Sequence, residues 1–356
     1  MSVDSQVFAQ WLLQWFALHG RNNLPWQIDP TPYRVWVSEV MLQQTQVTTV
    51  IPYYERFMSR FPTMHSLAEA SLDEVLHLWT GLGYYARARH LHACAQALVN
   101  RHAGEFPANL EAMMALPGIG RSTAGAILAL ARDERHPILD GNVKRVLARV
   151  FGMTVDPSSS SGLKEFWLQA EACTPSRDVA AYTQAIMDFG ATLCTRSRPA
   201  CEQCPLRTQC VAARDDRQST LPTAKPKRRR RSQEAVLLIA EAGHDHSRLV
   251  FLERRPSPGI WGGLWVPPQF ADKSAALEWC MNELGAVERA APMEPIDHSF
   301  THFDLRLVPL CVRCVPPQRV DDSHDRLWYA LRSPPKVGLP QPIMRLFERM
   351  LASEGT

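Results

Sequence analysis

No stretch of the chain approaches the ~18 consecutive apolar residues that a membrane-spanning helix needs, so no such segment is expected. The opening MSVDSQVFAQ has neither a charged n-region nor an apolar h-region, so it does not read as a secretory leader. Net charge is almost missing: 39 Lys and Arg against 36 Asp and Glu leave +3. That excludes a uniformly basic nucleic-acid coat and an acidic disordered tail, though not a local basic patch. No repeat occurs at solenoid periods. Nine cysteines are present, and in the reducing cytosol expected for this chain they need a role other than disulfides.

What is present divides along the chain. A length of 356 residues suggests two or three domains, at roughly 150 residues each. Residues 1–224 sum to zero charge, KPKRRRR at 225–231 to +6, and residues 232–356 to −3, giving 0 + 6 − 3 = +3. The basic run follows the polar RDDRQSTLPTA, so 213–233 reads as a linker. It is either a solvated connector or a phosphate-contacting strap, and the two are compatible.

Residues 1–212 read as all-α. SQVFAQWLLQWFALHG spaces its apolar residues at three and four, and SEVMLQQTQVTTVIPYYERFMSRF continues the pattern to an expected break at Pro52. SLDEVLHLWTGLG opens with Ser71 and Glu74 at capping-box spacing and stops at Gly81 and Gly83. Residues 234–356 read as α+β: AVLLIAEA, SRLVFLERR, LRLVPLCVRCV and LWYAL as strands, DKSAALEWCMNEL and PIMRLFERMLA as helices.

Cys194, Cys201, Cys204 and Cys210 form C-x6-C-x2-C-x5-C. Four thiolates this close can wrap one soft metal centre. The single C-x2-C pair and the outer spacings favour a [4Fe–4S] cluster, with tetrahedral zinc as the alternative. Arg196, Arg198 and Arg207 lie between the ligands and suit phosphate contact. Cys311 and Cys314 sit in a strand pattern and read as buried thiols.

LPGIGRSTA at 116–124 joins two helical stretches, with a helix–hairpin–helix expected over about 112–132. Gly118 and Gly120 permit a sharp turn, and Ser122 or Thr123 can cap a helix whose first amides face an anion. Alone this is equally a plain corner between helices. Asp140, twenty residues past Gly120 in PILDGNVKRVLAR, can cap a helix or present a carboxylate to a cleft.

Hairpin, aspartate and cysteines together resemble the helix–hairpin–helix DNA glycosylase superfamily. Its endonuclease III-like members carry a lysine nucleophile where this chain has Ser122, which implies a monofunctional glycosylase without strand cleavage. LPWQIDPTPYRVWVSEVMLQQTQVTTVIPYYERF and LHLWTGLGYYARARHLH narrow the resemblance to the adenine-specific MutY family, over nearly the whole chain.

The resemblance implies excision of adenine opposite 8-oxoguanine or guanine in duplex DNA by a monomer. Glu39 matches the general acid and Asp140 the carboxylate that stabilises the sugar cation, with Asn142 and Ser122 in support. Gln43, Gln44 and Thr45 match the wedge, Tyr84 the intercalating aromatic, with Leu82 nearby; Leu116, Gly118, Gly120 and Lys144 fall on the DNA-gripping side. Trp26 and Gln184 match the adenine pocket, although Gln27 stands where some relatives have arginine. The C-terminal half resembles a Nudix-like domain reading 8-oxoguanine through Phe300, Thr301 and His302, with Thr301 in place of serine. Its helix ALEWCMNELGA carries Glu278 and Glu283 but lacks the R-E-x-x-E-E-x-G carboxylates for metal, so lesion binding without nucleotide hydrolysis is expected. Two other readings remain: a bifunctional endonuclease III-type enzyme, and a non-catalytic iron–sulfur redox sensor on DNA.

Overall fold

The computed structural model describes residues 3–223, 230–243, 247–285, 287–300, 302–314 and 325–352. Thr301 and most of the basic run, 225–229, lie outside the described residues. The chain forms two compact units. One combines Met1–Glu69 with His90–Lys227, and the other combines Ala70–Arg89 with Arg228–Thr356. The division is discontinuous, whereas the sequence suggests one cut near 213–233.

The first unit is helical throughout its described residues. Its opening helix, Ser5–His19, is capped by Asp4, whose carboxylate accepts the amides of Gln6 and Val7. Phe8, Leu12 and Trp15 of its apolar face enter a core with Val146, Leu147, Phe166, Ile186 and Phe189. Burying each such side chain contributes roughly 1.5–3 kcal/mol. Helix Arg121–Arg132 packs against both Pro32–Leu42 and Val179–Asp188, which brings the hairpin beside the helix that carries Glu39.

Pro52 does not break its helix. The interruption falls earlier, at Gln43–Gln46, where Gln44 adopts φ 58°, and Val47–Arg60 then runs through Pro52. The lost hydrogen bond is offset because Val50, Tyr54 and Phe57 bury one face of that helix. Linker boundaries shift as well. Val211–Arg214 is a short helix, and the first strand of the second unit begins at Arg231.

The second unit is a mixed sheet: β1 (Arg231–Ala242), β2 (Leu249–Arg254), β3 (Trp265–Val266), β4 (Gln269–Phe270), β5 (Val287–Pro292), β6 (Ile296–Ser299), β7 (Phe303–Cys314) and β8 (Arg326–Ala330). Its central path is β3-β2-β1-β7-β5, with β4 on β1, β6 on β7 and β8 on β2. β1 and β7 pair in parallel from Arg231↔Phe303 to Glu241↔Arg313. Residues 235–240 of β1, AVLLIA, form a continuous apolar run that suits a strand covered on both faces, and the buried Glu241 that follows is paired with Arg248. Leu238, Ala240, Leu310 and Val312 pack with Ala276 and Cys280 of helix Lys273–Leu284. Cys314 lies buried, its sulfur 3.5 Å from that of Cys280. Helix Gln341–Ala352 buries Ile343, Leu346, Phe347 and Met350, and Phe347 meets Tyr329 of β8 at 5.4 Å.

Segment 70–89 is part of this unit. Helix Leu72–Trp79 has the expected Ser71 cap, whose hydroxyl accepts the Glu74 amide at 3.2 Å. Among the described residues no helix is long and apolar enough to cross a membrane.

Candidate active site

Glu39 lies in helix Pro32–Leu42 between Ser38 and Val40, both buried. Burial and the charge of Asp140 push its carboxyl up to about 8, so it holds a proton at neutral pH. Asp140 is the N-cap of helix Gly141–Phe151, and its Oδ1 accepts the Val143 amide at 2.7 Å. Desolvation raises its pKa, while the Val143 and Asn142 amides and the charges of Arg145 and Lys144 act the other way. The two buried carboxyls thus lie within electrostatic reach of one another, with donors and cations on the Asp140 side. Capping and chemistry are therefore compatible roles for one carboxylate.

The segment leading to Asp140 is held from the hairpin. Ser122 Oγ accepts the Leu139 amide at 3.0 Å. A Cβ on Gly125 would stand 2.6 Å from the Pro137 carbonyl oxygen, so only glycine admits this approach. In the hairpin, Gly118 has φ 74°, and a Cβ there would also meet the His90 Cβ at 2.6 Å. Leu116 is buried beneath the turn. Gly120 caps helix Arg121–Arg132 without a side chain, with open space at its Cβ direction. The first amides of that helix lack intrahelical partners, a geometry suited to a phosphate.

Behind the aspartate stands Arg145, on the same helix, Gly141–Phe151. Its guanidinium donates to Asn142 Oδ1 at 2.8 Å and to the carbonyls of Gly190 at 2.6 Å and Cys194 at 2.8 Å. The π-turn Phe189–Leu193 approaches so closely that a Cβ on Gly190 would lie 2.7 Å from Asn142 Cβ. Arg145 thus spans helix Gly141–Phe151 and the first residue of the cysteine loop. Arg149, one turn on, is 3% exposed and donates to the carbonyls of Thr195, Arg196 and Leu221. It also lies 3.5 Å from Cys194 Sγ. The signal for Arg149 was available: it occupies the apolar face set by Val146 and Val150.

Cys194, Cys201, Cys204 and Cys210 line one cavity with Arg149, Leu193 and Phe189. Burial pushes the Cys204 thiol up to about 12, and the other three thiols add to the effect. Among the described residues, no three His, Cys, Asp or Glu side chains converge on a single metal ion. Arg196, Arg198 and Arg207 are exposed, with Arg207 paired to Glu202.

Trp26 is 5% exposed and meets Tyr54 edge-on at 5.4 Å. Gln27 turns back to accept the Leu24 amide at 3.0 Å, so it serves the turn that carries Trp26. Gln184 donates to Asp188 at 2.9 Å; Asp188 is fully buried and also takes both the backbone and the guanidinium of Arg21. Gln43 ends the Glu39 helix, Gln44 is exposed, and Thr45 Oγ1 reaches the Gln43 carbonyl at 3.4 Å. Lys144 reaches the Pro157 carbonyl at 3.4 Å.

In the second unit Tyr84 is 48% exposed and Leu82 is buried. Phe300 sits in an aromatic group, 4.6 Å from His298, 5.6 Å from Trp261 and 4.7 Å from Phe303. Its amide donates to the Phe303 carbonyl at 2.9 Å, closing a tight loop that leaves His302 exposed. Glu283 is engaged by Arg326 at 2.9 Å.

Known proteins match both units. Residues 37–169 match the HhH-GPD superfamily of base excision DNA repair proteins, and residues 235–349 match the NUDIX domain. The adenine DNA glycosylase of Buchnera aphidicola (subspecies Acyrthosiphon pisum) is 37% identical over 348 residues, covering 97% of this chain and 98% of that protein. The rat adenine DNA glycosylase is 37% identical over 350 residues, covering 83% and 67% respectively. A solved thermostable thymine-DNA glycosylase superposes with a TM-score of 0.55 at 26% identity, covering 60% of this chain and 97% of that one. With paired carboxyls beside the hairpin and this likeness along nearly its whole length, the chain belongs to the adenine DNA glycosylase (MutY) family.

Proposed function

We propose that this glycosylase removes adenine mispaired with 8-oxoguanine, or with guanine, by hydrolysis alone, and so prevents G:C to T:A mutations. The observation that carries the reading is the unequal carboxyl pair, with Glu39 raised to about 8 in part by the charge of Asp140.

The target adenine must leave the stack to be reached. Glu39 donates its proton to adenine N7 as the bond from N9 to C1′ breaks, and the electron pair leaves with the base. Asp140 stabilises the positive charge developing at the sugar, as the partner carboxylate does in glycoside hydrolysis. Water adds at C1′ and its proton returns to the Glu39 carboxylate. Ser122 occupies the place of a lysine nucleophile, and its hydroxyl is engaged with the Leu139 amide. Trp26 and Gln184 border the adenine, and Gln43, Gln44 and Thr45 wedge the duplex. The hairpin from Leu116 through Gly118 to Gly120 grips phosphate with Lys144. Tyr84, Phe300, Thr301 and His302 read the opposite base.

Cys194, Cys201, Cys204 and Cys210 would hold a [4Fe–4S] cluster. The four sulfurs line one cavity, and the single C-x2-C pair with outer spacings of six and five suits such a cluster better than tetrahedral zinc. When bound, the cluster supplies a covalent tie that holds the arginine-bearing loop for phosphate contact.

One assay tests the reaction. Duplex with adenine opposite 8-oxoguanine is incubated under single-turnover conditions, then treated with alkali. Cleavage at adenine only after alkali, and its loss in Glu39→Gln and Asp140→Asn with binding retained, is expected. Strand cleavage without alkali, or strong borohydride trapping, would favour the bifunctional alternative.

A further inference from the structure

We propose that Asp73 and Tyr85 are positioning residues for Tyr84, which makes the 70–89 segment a working part of the lesion-reading unit despite its place in the N-terminal half of the sequence. The inference rests on the reading above that Tyr84 contacts the base opposite adenine.

Tyr84 is an exposed ring on a left-handed backbone, φ 51°, unusual for a non-glycine residue. Such a conformation persists where its surroundings over-determine it. Directly beneath, the Arg87 guanidinium lies 5.4 Å from the rings of both Tyr84 and Trp79. Arg87 and the Trp79 indole both donate to the Gly83 carbonyl at 3.1 Å. The ring is thereby fixed as a platform available for base stacking.

The loop is in turn held by residues from the C-terminal half. Asp73 Oδ2 takes Arg254 at 2.8 Å and its Oδ1 takes the Trp265 indole at 3.0 Å, so both carboxylate oxygens are committed. The Tyr85 hydroxyl accepts the Gly81 amide at 3.3 Å and donates to the Leu339 carbonyl at 3.0 Å, while Arg89 reaches the Gly262 carbonyl at 2.6 Å. Backbone meets helix directly at Gly338, where a Cβ would lie 2.5 Å from that of Leu76. Hydrogen bonds at Asp73, Tyr85 and Arg89, with close packing at Leu76, therefore link residues 73–89 to residues 254–265 and 338–339. Tyr84 and the Phe300 loop belong to the same compact unit. A sequence cut near residue 213 assigns them to different domains.

The test is a double-mutant cycle in the full chain. Asp73→Ala, Tyr84→Ala and the pair are compared by single-turnover base release from duplexes with adenine opposite 8-oxoguanine and opposite guanine. We expect Asp73→Ala to lower the ratio of the two rates by about tenfold, the scale of one lost charge-assisted hydrogen bond. In the Tyr84→Ala background it should lower the ratio no further, because its effect runs through that ring. Tyr85→Phe removes one hydroxyl while keeping the packing, and should give a smaller loss that also vanishes in the Tyr84→Ala background. A general loss of stability would lower both rates together and leave the ratio and the cycle unmoved. If Tyr84→Ala lowers the ratio but Asp73→Ala and Tyr85→Phe do not, or if their effects multiply, the positioning role is overturned. If Tyr84→Ala itself leaves the ratio intact, the assignment of Tyr84 as a lesion contact fails first, and this inference with it.

Discussion

Ser122 Oγ accepts the backbone amide of Leu139 at 3.0 Å, one residue before Asp140. The hairpin helix thus holds the strand-like approach to the carboxylate. Ser122→Ala leaves that part-buried amide unpaired, at a cost of roughly 1–2 kcal/mol. Base release should fall several-fold in single-turnover assays, with DNA affinity little changed because the hairpin amides remain. Ser122→Thr keeps the oxygen and should recover most of the rate.

Activity should follow a bell-shaped pH profile. The proposed reaction requires Glu39 protonated and Asp140 ionised. Asp140 sits above the ordinary aspartate value because it is desolvated, so the acid limb should lie above that value. The alkaline limb should fall near 8, where Glu39 loses its proton.

Stability gives an independent check on Glu39. Its folded pKa is raised above the unfolded glutamate value, so its contribution is fully present below the unfolded pKa. It is lost as pH rises through the window up to about 8. Glu39→Gln removes this pH-dependent penalty. The variant should be more stable than the parent at pH 8–9, by a few kcal/mol at most, and equally stable near pH 4. Thermal melting across that range measures it, and equal melting curves at pH 9 would show that the carboxyl is not desolvated.

How much of this was legible in the sequence depended on the range of the interactions. The helix beginning at Ser5, the Ser71 cap and the two C-terminal helices followed from local spacing and capping chemistry. The break assigned to Pro52 did not, because the burial of Val50, Tyr54 and Phe57 is a tertiary effect that propensity cannot weigh. The two-residue strands at Trp265 and Gln269 exist only through pairing with β2 and β1. The carboxyls could be named from the resemblance, but their coupling across about a hundred residues, and the Arg145 bridge, required the fold.

Arg145 places three acceptors around one planar guanidinium: Asn142 Oδ1, the Gly190 carbonyl and the Cys194 carbonyl. Arg145→Lys keeps the charge but cannot reproduce the fork, so it should behave nearly like Arg145→Ala. Both should lower single-turnover base release by about tenfold, given one or more part-buried charge-assisted bonds lost. A lysine variant at parental rate would show that charge alone matters there.

Arg149 offers the sharpest probe of the cysteine cavity. Its guanidinium is committed to the carbonyls of Thr195, Arg196 and Leu221 and lies against Cys194 Sγ, so it braces the loop from inside. Arg149→Met matches the length of the side chain but leaves one buried and two part-buried carbonyls without their donor, a loss of about 1–3 kcal/mol in loop stability. The Cys194 thiolate also loses a neighbouring cation. The purified parent should be brown and contain about four irons per chain, as expected for four cysteine ligands around one cluster. Arg149→Met should contain less iron and lose colour faster on dilution with a chelator, while Cys311→Ala, outside the cavity, should retain both. Colourless parent protein carrying one zinc would overturn the cluster assignment, and unchanged iron retention in Arg149→Met would remove the bracing role.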